Sequence, residues 1–163
     1  AVNAGIGVEE WLKEINADQN DYLEILIKAV ADRFAEATTE YLHQEVRVKY
    51  WGYSPNEQLS NEELIKEKYQ GIRPAPGYPA CPDHLEKKTI WQIIQPDKEI
   101  GLELTESLAM YPTAAVSGYF FSHPESQYFG ITQLGRDQVE DYAKRKGIDF
   151  EEAQRWLGHL MIG

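Results

Sequence analysis

Apolar residues recur at helical spacing over residues 21–49, where Leu23, Leu26, Ile27, Val30, Phe34, Ala37 and Tyr41 interleave with Glu24, Lys28, Asp32, Arg33, Glu36 and Glu40. This period predicts one long amphipathic helix whose apolar stripe runs along the core. A short helix over residues 8–17 precedes it, and Asp18 and Asn20 are its cap candidates. Trp51-Gly-Tyr-Ser-Pro55 breaks it. Ser60 with Glu63 has the spacing of a capping box for a helix over 61–69, which Gly71 ends. Asp83 is placed to cap a helix running to Ile94, with Glu86 at the capping-box position and Pro96 behind it. Residues 102–104, 108–111, 114–121 and 127–132 are rich in β-formers and aromatics. Pro112-Thr113 and His123-Pro-Glu-Ser126 separate them, which predicts an antiparallel meander whose last two strands form a hairpin. Helices over 136–146, stopped by Gly147, and 150–160 end the chain. The pattern is α+β: an antiparallel sheet meander flanked by helices, with one long N-terminal amphipathic helix.

One segment has no period. Four of the eight prolines fall in Arg73-Pro-Ala-Pro-Gly-Tyr-Pro-Ala-Cys-Pro82. Each fixes its own φ, removes a backbone donor and keeps the preceding residue out of the helical region. The segment is expected to be a stiff extended loop with Gly77 as its permissive position. Little conformational freedom is left to lose on ordering, which suits a ligand platform.

The chain of 163 residues has the length of a single domain. Sixteen Lys+Arg against twenty-seven Asp+Glu give a formal net charge of −11, which argues against nucleic acid and against an anionic membrane surface. The acidity serves solubility or complements a basic partner. Cys81 is the single cysteine, so no intrachain disulfide forms and a cytoplasmic setting is expected. No run is long and apolar enough to span a bilayer, and residues 1–8 lack the basic n-region of a signal peptide.

Phosphate loops, dinucleotide fingerprints, nucleophile elbows and zinc-helix motifs do not occur in the sequence. Cys81 and His84 have a spacing at which both can touch a metal, but two ligands make no structural zinc site, so no metal is expected. Arg73 suits bidentate recognition of a carboxylate, or an ion pair with a nearby acid such as Glu67. The amides of Ala75, Gly77 and Tyr78, outside any regular element, are open to a polar ligand or to water. Tyr128 and Phe129, adjacent on a strand, are expected to point to opposite faces, one ring buried and one exposed. The exposed ring either stacks on a ligand or is a plain strand aromatic.

Gly71-Ile-Arg-Pro-Ala-Pro-Gly-Tyr-Pro-Ala-Cys-Pro-Asp-His84 resembles the signature of the activation domain of cobalamin-dependent methionine synthase. Asp32-Arg-Phe-Ala-Glu-Ala37, Tyr50-Trp-Gly-Tyr53, Thr105-Glu-Ser-Leu-Ala-Met110, Phe121-Ser-His-Pro124 and Arg136-Asp-Gln-Val-Glu-Asp-Tyr142 resemble the same family in order. The resemblance covers residues 19–163, leaving 1–18 as a lead-in, and implies the C-terminal portion of a domain about twice as long. It implies that the domain binds S-adenosylmethionine and presents its methyl to cobalamin held on a partner domain, while flavodoxin or an equivalent reductase supplies an electron. The whole enzyme is then a methyltransferase, and this chain alone is not expected to be catalytic. Carried over residue by residue, Arg73, Ala75, Gly77, Tyr78, Tyr128 and Phe129 bind the ligand. Glu36, Glu67 and His84 line or border the site. No catalytic side chain is implied, because the nucleophile is the cobalt and the protein supplies positioning. The absent N-terminal part is implied to bring a further acidic contact to the ligand's amino group. The alternative is a non-catalytic interaction module that docks a cobalamin or reductase domain.

Overall fold

The computed structural model describes residues 1–15 and 20–162. Helix α1 spans Val8–Glu14. The long helix α2 spans Asp21–Glu45 and continues as a π-helical turn, Val46–Tyr50, before the break at Gly52. The Asn20 side chain caps it by accepting from the Leu23 amide at 3.2 Å, as its small polar side chain suits; Asp18 lies outside the described residues.

Strand β1 (Val2–Asn3) pairs antiparallel with β4 (Ala115–Val116), in the register Val2↔Val116. Strands β2 (Glu103–Leu104) and β3 (Met110–Tyr111) form a second antiparallel pair. Helix α2 packs on β1 and β4. The face it turns inward carries Ala31, Ala35 and His43, whereas Leu26, Val30, Phe34, Ala37 and Tyr41 are exposed. The expected core stripe is thus corrected: strands laid against a helix select its small residues, because only these let the backbones approach.

The expected hairpin of 114–121 with 127–132 does not form, because the first of these segments has other partners. One end pairs with β1. The other pairs with the proline segment: Ile72 and Phe121 exchange backbone hydrogen bonds of 3.0 and 2.9 Å, and the Tyr119 amide donates to Pro74 O at 3.0 Å. The Ile131 amide donates to Pro79 O at 2.9 Å instead of to a neighbouring strand. Proline cannot donate, but its carbonyl still accepts, and the loop is sewn down through these carbonyls. It is not extended throughout: the Cys81 amide donates to Tyr78 O at 2.8 Å, closing a turn. Gly77 sits there at φ 94°, and a Cβ on it would fall 2.3 Å from His84 Cε1. A side chain is therefore excluded twice, by backbone sterics and by the imidazole.

Helix α3 (Asn61–Ile65) begins with the expected capping box. It ends earlier than expected, with Glu67 in the left-handed region and Tyr69 turned into the interior. Helix α4 (Glu86–Ile94) starts later than expected. Asp83 accepts from the Leu85 amide at 2.8 Å as a local turn, and Glu86 meets Lys146 and Tyr119 rather than closing a capping box. Helix α5 (Pro96–Glu99) follows, with proline at its first position. Helices α6 (Arg136–Lys146) and α7 (Phe150–Leu157) pack together around Val139, Ala143 and Ala153, and a 3₁₀ turn, Gly158–Leu160, extends α7. Tyr142 donates to Asp83 and Lys146 pairs with Glu86, so this helix pair is tied to the end of the proline loop.

Gly118 lies under the loop, where an added Cβ would come 2.6 Å from Pro74 O. Gly118→Ala is expected to destabilise the fold by about 1–3 kcal/mol through this overpacking against backbone, measured by urea unfolding.

Candidate functional site

The long helix, the proline loop, β4 and the 128–129 segment enclose a cleft of about 530 Å³. Behind its wall, against the lining residues Arg73 and Phe120, stands His43. The imidazole is fully buried, stacked on Phe120 at 4.5 Å between ring centroids and set edge-on to Tyr69 at 5.1 Å. Its Nδ1 lies 3.3 Å from Arg73 Nη1 and its Nε2 lies 3.3 Å from the Tyr53 hydroxyl. A guanidinium only donates, so Nδ1 accepts and the ring proton sits on Nε2, donating to Tyr53. Burial, with Arg47 and Arg73 nearby, lowers the His43 pKa to about 3. The ring is therefore neutral.

Arg73 is oriented from three directions. Its Nη2 bonds Glu40 Oε2 at 2.5 Å, and its Nη1 bonds the Tyr69 hydroxyl at 2.5 Å and faces His43. Burial opposes its charge, but Tyr69 and Glu40 together hold its pKa above the ordinary value. The remaining guanidinium N–H groups are available to a ligand carboxylate. Behind Tyr69, Arg47 lies 4.1 Å from the ring centroid and forms a buried two-pronged pair with Glu57, both contacts at 2.7 Å. Desolvation pushes the Tyr69 hydroxyl up to about 12, so it stays a neutral donor and acceptor. Ser117 Oγ and Glu40 Oε1 are buried without a hydrogen-bond partner among the described residues.

The mouth is aromatic. The Tyr128 hydroxyl accepts from the Arg73 amide at 2.9 Å, which pins this ring across the start of the proline loop. Phe129 and Tyr78 are largely exposed, and both line the cleft. Residues 127–132 form no strand, so the expected alternation of a buried and an exposed ring is replaced by two rings at one opening.

Of the residues singled out from sequence, Arg73, Ala75, Tyr78, Tyr128, Phe129 and Glu36 line this one cleft. Gly77 and His84 line a separate pocket on the other side of the loop. Glu67 is exposed, lines neither, and is not the partner of Arg73, which is Glu40. The amides of Gly77 and Tyr78, expected to be open, donate within the loop to Cys81 O and Ala75 O at 2.8 and 3.3 Å. Among the described residues no group of acids, cysteine and histidines is placed to hold a metal. Sequence reasoning missed Glu40, His43, Tyr69 and Ser117. For the first two a signal existed: Glu36, Glu40, His43 and Arg47 recur at spacings of three and four, a polar stripe along one side of a helix.

Residues 1–147 match the family described as vitamin B12-dependent methionine synthase, activation domain. The chain belongs to this family. Among solved structures it is similar to the MetH reactivation domain bound to AdoHcy, with 57% sequence identity and a TM-score of 0.90. That likeness covers 94% of this chain and 47% of the other, so the chain spans about half the length of the structure it matches. No helix among the described residues is long and apolar enough to cross a membrane.

The neutral His43 of this activation-domain chain carries a pH signature. Its folded pKa lies below its unfolded value of 6.5. Its contribution is complete above that value and declines as pH falls toward 3, because the unfolded chain takes up a proton that the folded chain refuses. Unfolding free energy is expected to fall by up to about 1.4 kcal/mol per pH unit in this window from His43 alone. His43→Asn, which retains an acceptor toward Arg73, is expected to flatten the slope in urea titrations by about a quarter of a proton at pH 7, rising to about one proton at pH 5. An unchanged slope would contradict the buried neutral ring.

Proposed function

We propose that this cleft holds S-adenosylmethionine, and that the chain serves the reductive reactivation of cobalamin carried on another domain of methionine synthase. The observation that carries the reading is the convergence of Arg73, Glu36, Tyr128 and Phe129 on one cleft, in a chain 57% identical to a reactivation domain bound to AdoHcy. AdoHcy is what remains when S-adenosylmethionine gives up its methyl group.

The charges of the ligand match the cleft. Its carboxylate suits Arg73, held ready by Glu40, Tyr69 and His43. Its ammonium and sulfonium suit the acidic side of α2, with Glu36 in the lining and the unpaired Oε1 of Glu40 close behind. Its adenine suits Tyr128 and Phe129 at the mouth. Ala75 and Tyr78 would border the methyl. Cobalamin, when docked, supplies the nucleophile, so the residues of this chain bind, orient and exclude water rather than exchange protons. In this reading the chain is cytoplasmic, flavodoxin or an equivalent reductase delivers the electron, and nucleic acid is not a partner. The chain acts as one domain, the C-terminal portion of the activation domain; Gly77, Glu67 and His84 do not line the cleft and take no part in this grip.

A second reading, a module that docks a cobalamin or reductase domain without binding the nucleoside, is favoured by one feature. Tyr22, Leu26, Val30 and Phe34 stand exposed on α2 of a chain with net charge −11. It requires a salt-sensitive complex with the cobalamin domain and no nucleoside saturation.

Calorimetry with S-adenosylhomocysteine separates the two. Saturable binding to the wild type and a loss of about tenfold or more in Arg73→Ala are expected, the size of a charge-assisted hydrogen bond. Equal affinity in the two proteins would refute the role of Arg73, and no saturation in either would favour the docking reading. Tyr128→Phe, which removes the hydroxyl that accepts from the Arg73 amide, is expected to weaken binding by a smaller factor, about threefold to tenfold, without unfolding the chain.

A further inference from the structure

On the far side of the proline loop lies a second pocket, of about 480 Å³. It shares only a wall with the cleft: Ala75, Tyr78, Val116 and Ser117 line both. Its remaining lining comes from Pro76, Gly77, His84, Lys87, the 107–110 turn, Thr113 and Ala115. None of this is needed to grip a nucleoside in the cleft.

Lys87 is the unusual residue here. It is only 6% exposed, so its ammonium is almost wholly removed from water. Its Nζ donates to Leu108 O at 2.8 Å and lies 3.2 Å from His84 Nδ1. No carboxylate pairs with it among the described residues, and burial lowers its pKa with no acid offsetting the effect. A buried cation without a counter-charge is costly, and proteins keep one where an anion completes it or where it does chemistry. Two contacts leave one ammonium N–H over. Because Lys87 donates to Nδ1, the neutral His84 ring carries its proton on Nε2, a second donor at the same wall. Ser117, 3% exposed, brings a hydroxyl without a partner among the described residues.

Most of the rest of the lining is apolar, with Pro76, Leu108, Ala109, Met110, Ala115 and Val116, and Ser107 and Thr113 add two hydroxyls. The volume is that of an organic molecule and well above that of an inorganic ion. We infer that this pocket is a second ligand site, for an organic anion with one carboxylate or phosphate head on an apolar body. The head meets Lys87 and the His84 imidazole, and the body lies along Met110 and Val116. Tyr78 and Ser117 stand in both linings, so an occupant touches the partition between the two sites. This site is independent of the reading given for the cleft.

The test is an NMR-monitored titration of the 163-residue chain with sodium benzoate, phenyl phosphate, inorganic phosphate and the neutral isostere benzamide. Benzoate or phenyl phosphate is expected to saturate, with shifts centred on His84, Lys87 and Leu108; which of them binds tighter identifies the head group. Benzamide and inorganic phosphate are expected to bind at least about tenfold more weakly, since one lacks the charge and the other the body. Lys87→Met is expected to cost benzoate about tenfold or more while S-adenosylhomocysteine binding is kept. Benzamide binding as well as benzoate would overturn the site, as would an absence of saturation by any anion. So would shifts confined to Arg73 and Phe129. The benzoate and benzamide arms use the wild type, so the test stands even where Lys87→Met does not fold.

Discussion

Two guanidinium groups lie against one tyrosine ring, and most of the molecule is arranged around that contact. Arg47 sits 4.1 Å and Arg73 5.4 Å from the centroid of Tyr69. Each cation is matched by its own carboxylate from a different part of the chain, Glu57 and Glu40. His43 stands beside them uncharged, which lets it accept from one guanidinium without adding a third positive charge. Removing one partner of the buried Arg47–Glu57 pair is expected to cost about 3–5 kcal/mol, because the other charge is left unmatched. The contact thereby fixes the end of α2, the loop that follows it and the entry to the proline segment in one arrangement.

The proline segment then acts as a partition. Its donors are few, so its carbonyls hold it: Pro74 accepts from Tyr119 and Pro79 from Ile131. Gly118 beneath it and Gly77 within it give the close approach that a Cβ would block. One side of the partition faces the cleft that carries Arg73 and the aromatic mouth, and the other faces the pocket that carries Lys87 and His84. A stiff wall suits this position, since a residue placed on it for one site does not drift when the other is filled.

Local rules were readable at the helices. Asn20, Ser60 with Glu63, and Gly147 cap or stop helices through bonds within a few residues, so the boundaries at 21, 61 and 146 follow from the local sequence alone. Arg73 stood out for a comparable reason, as a charged residue opening a rigid segment, whereas Tyr128 and Phe129 read as adjacent strand aromatics and were placed at the ligand only by the family resemblance. The strand pairing was not readable. Residues 114–121 and 127–132 have the residue types of a hairpin, yet a strand pairs with whichever backbone is held alongside it, and here that is β1 and a segment 49 positions earlier, Ile72 with Phe121. The capping role expected of Glu86 was lost to Lys146, a residue 60 positions away.

The sequence by itself determined where in the chain helices occur, the proline-restricted backbone of residues 73–82 and the presence of an arginine and an aromatic pair suited to a charged nucleoside. These depend on the dihedral limits of proline and glycine and on side-chain bonds within one turn. Only the tertiary structure decided which face of α2 is inside, that Glu40 and His43 rather than Glu67 hold Arg73, and that His84 belongs to the opposite side of the loop. The physical reason is common to all three. An apolar stripe or an unpaired charge states what kind of partner a residue needs. Which partner it receives depends on which backbones can approach closely, and small residues such as Ala31, Ala35 and Gly118 set that distance.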